Sequence, residues 1–151
     1  HGIVKHGSKM LQAVANATVP QLTVLVGGSF GAGNYGMCGR GLDPRFIFSW
    51  PNARIGVMGG EQAARVMAIV TEQKHARSGE TVDPQVLEMI TSQIRDKIDA
   101  ESSALFATAR LWDDAIIDPR DTRAVLARCL DLCAAAEQRS LRSNSFGVAR
   151  F

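Results

Sequence analysis

Leu22-Thr23-Val24-Leu25-Val26-Gly27-Gly28-Ser29-Phe30-Gly31-Ala32-Gly33-Asn34-Tyr35-Gly36-Met37-Cys38-Gly39 is the stretch that decides how this chain folds. Its first five residues are apolar or β-branched, a strand-forming run, and they lead directly into a segment that holds six glycines. A strand that runs into glycines and small residues and then starts a helix gathers bare backbone N–H groups at the helix N-terminus. Such a turn stabilises an anion. The anion is either a bound phosphate or an oxyanion that exists only during a reaction, and composition does not choose between them.

Working outward, the chain alternates helices and strands. Ile3, Val4, Met10, Leu11, Val14 and Ala15 recur at helical spacing, and Val19-Pro20 closes that helix before the strand. After the glycine turn and a short helix, Arg45 to Trp50 reads as a second strand ended by Pro51-Asn52, and Arg54 to Met58 as a third. Gly59-Gly60 opens a helix running from Glu61 to about Arg77, with Ala63, Ala64, Met67 and Val70 as its apolar stripe and Ser78-Gly79 as its stop. Asp83-Pro84 caps the next, with Val86, Leu87, Ile90, Ile94 and Ile98 in period, and the helix is drawn to about Phe106. Ala115-Ile116-Ile117 reads as a short strand. Asp118-Pro119-Arg120-Asp121 repeats the cap-plus-proline pattern before a last helix striped by Val125, Leu126, Leu130, Leu132 and Cys133, ending near Gln138. Arg139 to Phe151 carries no clear period, and no internal repeat or linker interrupts the pattern.

At 151 residues the chain is long enough for one domain with a real core. Its 17 basic and 15 acidic residues are interspersed, so no basic stripe is available to follow a nucleic-acid backbone, and no nucleic-acid partner is expected. No stretch approaches the ~18 to 20 consecutive apolar residues of a membrane span, so no membrane insertion is expected. Cys38, Cys129 and Cys133 are odd in number and lack C-x-x-C spacing, which argues against a disulfide framework and for a reducing compartment. Cys129 and Cys133 lie one helical turn apart with no histidine near them, which reads as two small residues on a buried face; no metal site is expected. The first residue is His1 and no signal-like segment leads the chain, so the sequence reads as a piece of something longer.

Side chains that catch the eye have plain structural readings. His6 and His75 lie in helical stretches without a carboxylate at triad-like spacing, which suits solvated or core positions. Trp50, Trp112, Phe46 and Phe48 are expected to fill the core. Asp113-Asp114 resemble paired carboxylates, yet adjacent residues face different ways, and Asp118 is better explained as a cap. Gly59-Gly60 is read as helix packing. A nucleotide-binding module should place a lysine after its glycines, as in G-x-x-x-x-G-K-[ST]; Met37-Cys38-Gly39 follow here, which counts against it.

A longer set of ordered motifs carries a resemblance. Gly2-Ile3-Val4-Lys5-His6-Gly7, Val19-Pro20, the run Gly27 to Gly39, Trp50-Pro51-Asn52-Ala53-Arg54-Ile55 and Val57-Met58-Gly59-Gly60-Glu61-Gln62-Ala63-Ala64 follow one another along the chain. Ala109-Arg110-Leu111-Trp112-Asp113-Asp114-Ala115-Ile116-Ile117-Asp118-Pro119, Thr122-Arg123 and Phe146-Gly147-Val148 continue it. Together they resemble the β subunit of biotin-dependent acyl-CoA carboxylases, most of all the methylcrotonoyl-CoA and geranyl-CoA members.

The resemblance implies an α/β, crotonase-like fold of ββα units, with residues 1–151 forming the later part of the C-terminal, biotin-side carboxyltransferase domain. It implies carboxyl transfer from carboxybiotin, carried on a biotin-bearing α subunit, to an acyl-CoA held mainly by the N-terminal domain of another β subunit. Negative charge then develops on the biotin ureido oxygen and on the thioester enolate, and fixed backbone donors can stabilise both. Matched position by position, the biotin-side oxyanion hole falls on the N–H groups of Ala32 and Gly33, with Phe30 and Gly31 shaping the approach. The liberated biotin nitrogen is the implied base toward the acyl-CoA γ-carbon. A noncatalytic assembly piece of such a subunit is the alternative reading, and neither reading separates bacterial cytosol from mitochondrial matrix.

Overall fold

Strand β3 (Phe46–Ser49) shows why this sequence folds as it does. It lies between β1 (Leu22–Leu25) and β5 (Ala115–Ile116) in a three-stranded parallel sheet, so both of its edges are paired, and side chains pack on both of its faces. Successive side chains of a strand point to opposite faces. Ile47, with 0% exposure, packs into a cluster with Leu25, Ala53 and Ala104, while Phe48 packs on the other face with Ile117 and Cys129. Full burial of one such side chain contributes ~2 to 3 kcal/mol.

A computed structural model describes residues 2–79 and 81–140. The motif Phe146-Gly147-Val148 and the unpatterned tail beyond residue 140 lie outside the described residues. Helix α1 (Ile3–Ala15) precedes β1, and a second two-stranded parallel sheet pairs β2 (Gly28–Phe30) with β4 (Arg54–Gly56). Helix α2 (Gly31–Gly36) follows β2, and α3 (Gly60–Ser78) follows β4. The chain therefore runs strand, strand, helix twice, each unit giving one strand to each sheet. In register, Leu22 pairs with Phe46 and Gly28 with Arg54, so the second unit lies alongside the first.

Strand β2 is not in the sequence expectation, which leaves Gly28 to Phe30 within the turn. Three residues hold no period, and they become a strand because Arg54–Gly56 lies beside them. The helix expected from Asp83 to Phe106 is two helices, α4 (Pro84–Glu101) and α5 (Ala104–Thr108). Strand β4 causes the break: the Ile55 N–H donates to the Ser102 carbonyl at 2.9 Å, Arg54 and Ser103 form an antiparallel bridge, and the Ser103 hydroxyl accepts from the Phe106 N–H to cap α5.

The remaining boundaries follow local chemistry. Asp83 accepts from the Gln85 N–H at 2.9 Å with Pro84 in the first turn of α4, and Gly79 ends α3 at φ 74°. Asp118 accepts from the Arg120 N–H before α6 (Thr122–Glu137), whose buried residues are Cys129 and Cys133. Leu130 and Leu132 are exposed instead of lying on its buried stripe, and so are Met67 and Val70 on α3, where Gly60, Ala63 and Ala64 make the buried contact. Small residues win there because α3 and α4 approach closely. A Cβ on Gly60 would lie 2.7 Å from the Arg95 carbonyl oxygen, so the packing role of this glycine is a backbone requirement.

Candidate functional site

Strand β2 ends at Phe30 and α2 begins at the next residue, a direct strand-to-helix turn. Gly31 makes it possible. Its φ of +54° lies in the left-handed region, and a Cβ there would lie 3.1 Å from the Val57 carbonyl oxygen. Phe30 is the N-cap residue in extended conformation, and it offers no side-chain cap. Ala32 and Gly33 therefore stand in the first turn of the helix, where amides have no intrahelical acceptor.

Gly31 and Ala32 line a cleft of about 520 Å³, together with Asn34, Tyr35, Val57 and Trp112. Phe30 and Gly33 flank that lining. The half-buried Phe30 ring lies over Gly28, whose Cβ would meet it at 2.9 Å, and over its register partner Gly56. A Cβ on Gly33 meets nothing within 4 Å, so that position is open. The lining residues carry no carboxylate, imidazole, thiol or amine side chain. What the cleft presents to a ligand is peptide dipoles, one amide side chain, a phenol and an indole.

Scaffolding holds the turn from below. Asn34 Nδ2 donates to the Ser29 hydroxyl at 2.9 Å, which ties α2 back onto β2. The Thr23 hydroxyl donates to the buried Cys38 carbonyl at 2.8 Å, and the Gly39 N–H returns to Asn34 at 2.7 Å. Gly39 has no room for a side chain, because one would collide with the Asn34 amide. Burial pushes the Cys38 thiol above its ordinary range, a hydrogen bond with Thr23 pulls it partway back, and the Asp43 charge raises it further, while the side chain packs in the interior. Cys129 is raised in the same way, first by burial and then by Cys133 and Asp114.

Of the other residues singled out by sequence, His75 Nδ1 lies 2.9 Å from its own helix's Thr71 carbonyl, and His6 is exposed on α1. Asp113 and Asp114 do face different ways: Asp113 is buried against the Ser49 and Thr108 hydroxyls, while Asp114 accepts from the Ile47 N–H at 2.8 Å. Phe48 fills the core as expected, whereas Trp112 is 37% exposed and lines the cleft. Sequence reasoning misses Trp112 here, and its place within the quoted Leu111-Trp112-Asp113-Asp114 motif is the signal that could have found it. Among the described residues no group of three or more potential metal ligands occurs, and no helix is long and apolar enough to cross a membrane.

A family described as the carboxyl transferase domain matches residues 1–148. The chain belongs to that family. The geranyl-CoA carboxylase β subunit of P. aeruginosa superposes with a TM-score of 0.87 at 61% identity, over 99% of this chain and 28% of that one. The biotin-dependent 3-methylcrotonyl-coenzyme A carboxylase beta1 subunit of Mycobacterium tuberculosis is 54% identical over 149 residues, again 99% of this chain and 28% of that protein. The transcarboxylase 12S subunit, whose structure is described as a hexamer assembly, superposes at a TM-score of 0.72 with 30% identity over 97% of this chain and 26% of that one. This chain thus spans about a quarter of the length of the family members it matches. The two stacked strand, strand, helix units are those of the crotonase-like fold that carboxyl transferase domains share.

Proposed function

We propose that the chain is the later part of the biotin-side domain of an acyl-CoA carboxylase β subunit, and that it serves carboxyl transfer from carboxybiotin to an acyl-CoA of the 3-methylcrotonoyl or geranoyl type. One observation carries this reading: the first turn of α2 edges a cleft whose lining has no carboxylate, imidazole, thiol or amine, in a member of the carboxyl transferase family. A reaction that works by stabilising charge on oxygen needs fixed N–H donors, and such a cleft supplies little else.

The cleft fits a ureido ring system. Its volume of about 520 Å³ accommodates a small bicycle, and an indole and Val57 offer apolar surface beside the backbone donors. Carboxybiotin, when bound, supplies the activated carboxyl group. The Ala32 and Gly33 N–H groups are the donors that hold the ureido oxygen as negative charge grows there. Phe30 and Gly31 set where those donors lie, Phe30 by packing across β2 and β4 and Gly31 by turning the chain. Removal of one such donor costs ~3 to 4 kcal/mol of transition-state stabilisation.

The partners that go with this reading are a biotin-carrying α subunit, other β subunits and the acyl-CoA, in a bacterial or mitochondrial compartment as in the relatives. Exposed Val66, Met67, Ile69 and Val70 on α3 favour subunit contacts in addition to chemistry, because an apolar ridge of this kind is rarely left in water. The deciding experiment follows labelled carboxyl from carboxybiotin to 3-methylcrotonoyl-CoA and to geranoyl-CoA. A full-length subunit containing this segment, assembled with its biotin-carrying partner, is expected to transfer label to at least one of them. The 151-residue chain alone is expected to transfer none, since one half-site forgoes proximity worth ~7 to 11 kcal/mol. Absence of transfer by the assembly, or full turnover by the isolated chain, would overturn this reading.

A further inference from the structure

Trp112 is a wall shared by two cavities. One is the cleft edged by Gly31 and Ala32, and the other is a cavity of about 260 Å³ that reaches Ile98, Glu101 and Phe106. Ile55, Gly56 and Val57 also line both.

The residues around Trp112 hold it in place. Its backbone N–H donates to the Ala107 carbonyl at 3.1 Å, and its backbone carbonyl accepts from Arg40 Nε at 3.1 Å. Asp113, next in the chain and 4% exposed, accepts hydroxyl hydrogen bonds from Ser49 at 2.6 Å and from Thr108. Leu111, just before it, has φ 59°, a conformation that a non-glycine residue keeps only where its surroundings over-determine it. The indole meets the Phe106 ring edge-on, with centroids 5.8 Å apart, and the Arg110 guanidinium lies 3.3 Å from the Phe106 centroid on that ring's face. A large aromatic so firmly anchored, yet left 37% exposed to an opening, is arranged as a contact surface.

Building on the reading of the cleft as the carboxyl donor's site, we infer that Trp112 is the binding wall that holds the donor's planar ureido ring on the Ala32 side and closes off the second cavity. The indole offers the ring a broad apolar face and no acceptor that would compete for the backbone N–H donors. With the wall present, the ureido oxygen is confined to the side of the amides. Without it the two cavities become continuous and the ring gains other resting places, a loss of orientation borne by the donor alone.

The test uses the assembled full-length enzyme run in reverse with free biotin as the acceptor. The carboxyl C–C bond of the carboxylated acyl-CoA breaks, an N–C bond forms on the biotin ureido nitrogen, and the proton from that nitrogen passes to the acyl-CoA carbon. Trp112→Ala is expected to raise KM for free biotin about tenfold or more while KM for the acyl-CoA stays within about twofold, and Trp112→Phe to keep the biotin KM within about threefold of the parent. An unchanged biotin KM in Trp112→Ala would overturn the inference, as would equal losses for both substrates accompanied by a lower melting temperature. A parent enzyme that moves no carboxyl group to free biotin would instead refute the reading of the cleft itself.

Discussion

Gly31 and Val57 touch through the backbone: a Cβ on Gly31 would lie 3.1 Å from the Val57 carbonyl oxygen, while the chain at Gly31 sits at φ +54°. Both constraints act on one residue. Gly31→Ala is therefore expected to pay left-handed strain of ~1 to 2 kcal/mol and to push the α2 turn away from β4. Urea unfolding of the 151-residue chain should report the stability loss. Carboxyl transfer by the full-length assembly should fall more steeply than stability does, because the donors move with the turn.

Gly33 gives a cleaner test of the donors, since a Cβ there meets nothing within 4 Å. Gly33→Ala keeps the N–H and is expected to retain most of the carboxyl transfer. Gly33→Pro removes it and is expected to lower kcat by about two to three orders of magnitude. Biotin carboxylation by the partner subunit serves as the internal control and should be equal in both. Equal transfer by the two variants would remove Gly33 from the site.

Gly60 tests the packing of α3 on α4. Its N–H lies 3.3 Å from Asp99 Oδ1, and a Cβ would stand 2.5 Å from that oxygen and 2.7 Å from the Arg95 carbonyl oxygen. The Asp99 side chain can swing aside, but a helix carbonyl cannot. Gly60→Ala is expected to destabilise by ~1 to 3 kcal/mol despite the better helix propensity of alanine. A gain in the urea midpoint would show that the helices have room to part.

Alkaline pH should weaken the fold through its buried thiols. Burial raises both Cys38 and Cys129 above the ordinary thiol value, so the native state still holds these protons at a pH where the unfolded chain has released them. Their contribution is fully present below the unfolded value of about pH 8.5 and is lost as pH rises through the folded values. Urea midpoints are expected to fall between about pH 8 and pH 10. A Cys38→Ala, Cys129→Ala double variant should show a shallower fall, and an identical slope would mean that other groups carry the effect.

Much of this architecture is legible in sequence because its signals are local. Asp83-Pro84 starts α4 and Ser78-Gly79 ends α3 where their capping chemistry says they should, and the apolar run from Leu22 yields β1. Gly31, Ala32 and Gly33 stand out in the same way, because a glycine-rich step from strand to helix is written in adjacent residues. The α3 stripe misleads at Met67 and Val70. Periodicity identifies an apolar face, but it does not say whether this stretch of chain is what covers it.

The sequence by itself determined the alternation of elements, the glycine turn and, through ordered motifs, the family. Only the tertiary structure decided that Gly28–Phe30 is a strand, that the helix breaks at Ser102 and Ser103, and that Trp112 lines the same cleft as Ala32. The reason is the range of the forces involved. Caps and helical periods depend on neighbours a few residues away, whereas strand pairing and a cavity wall depend on backbone groups and surfaces that meet only after distant segments have packed.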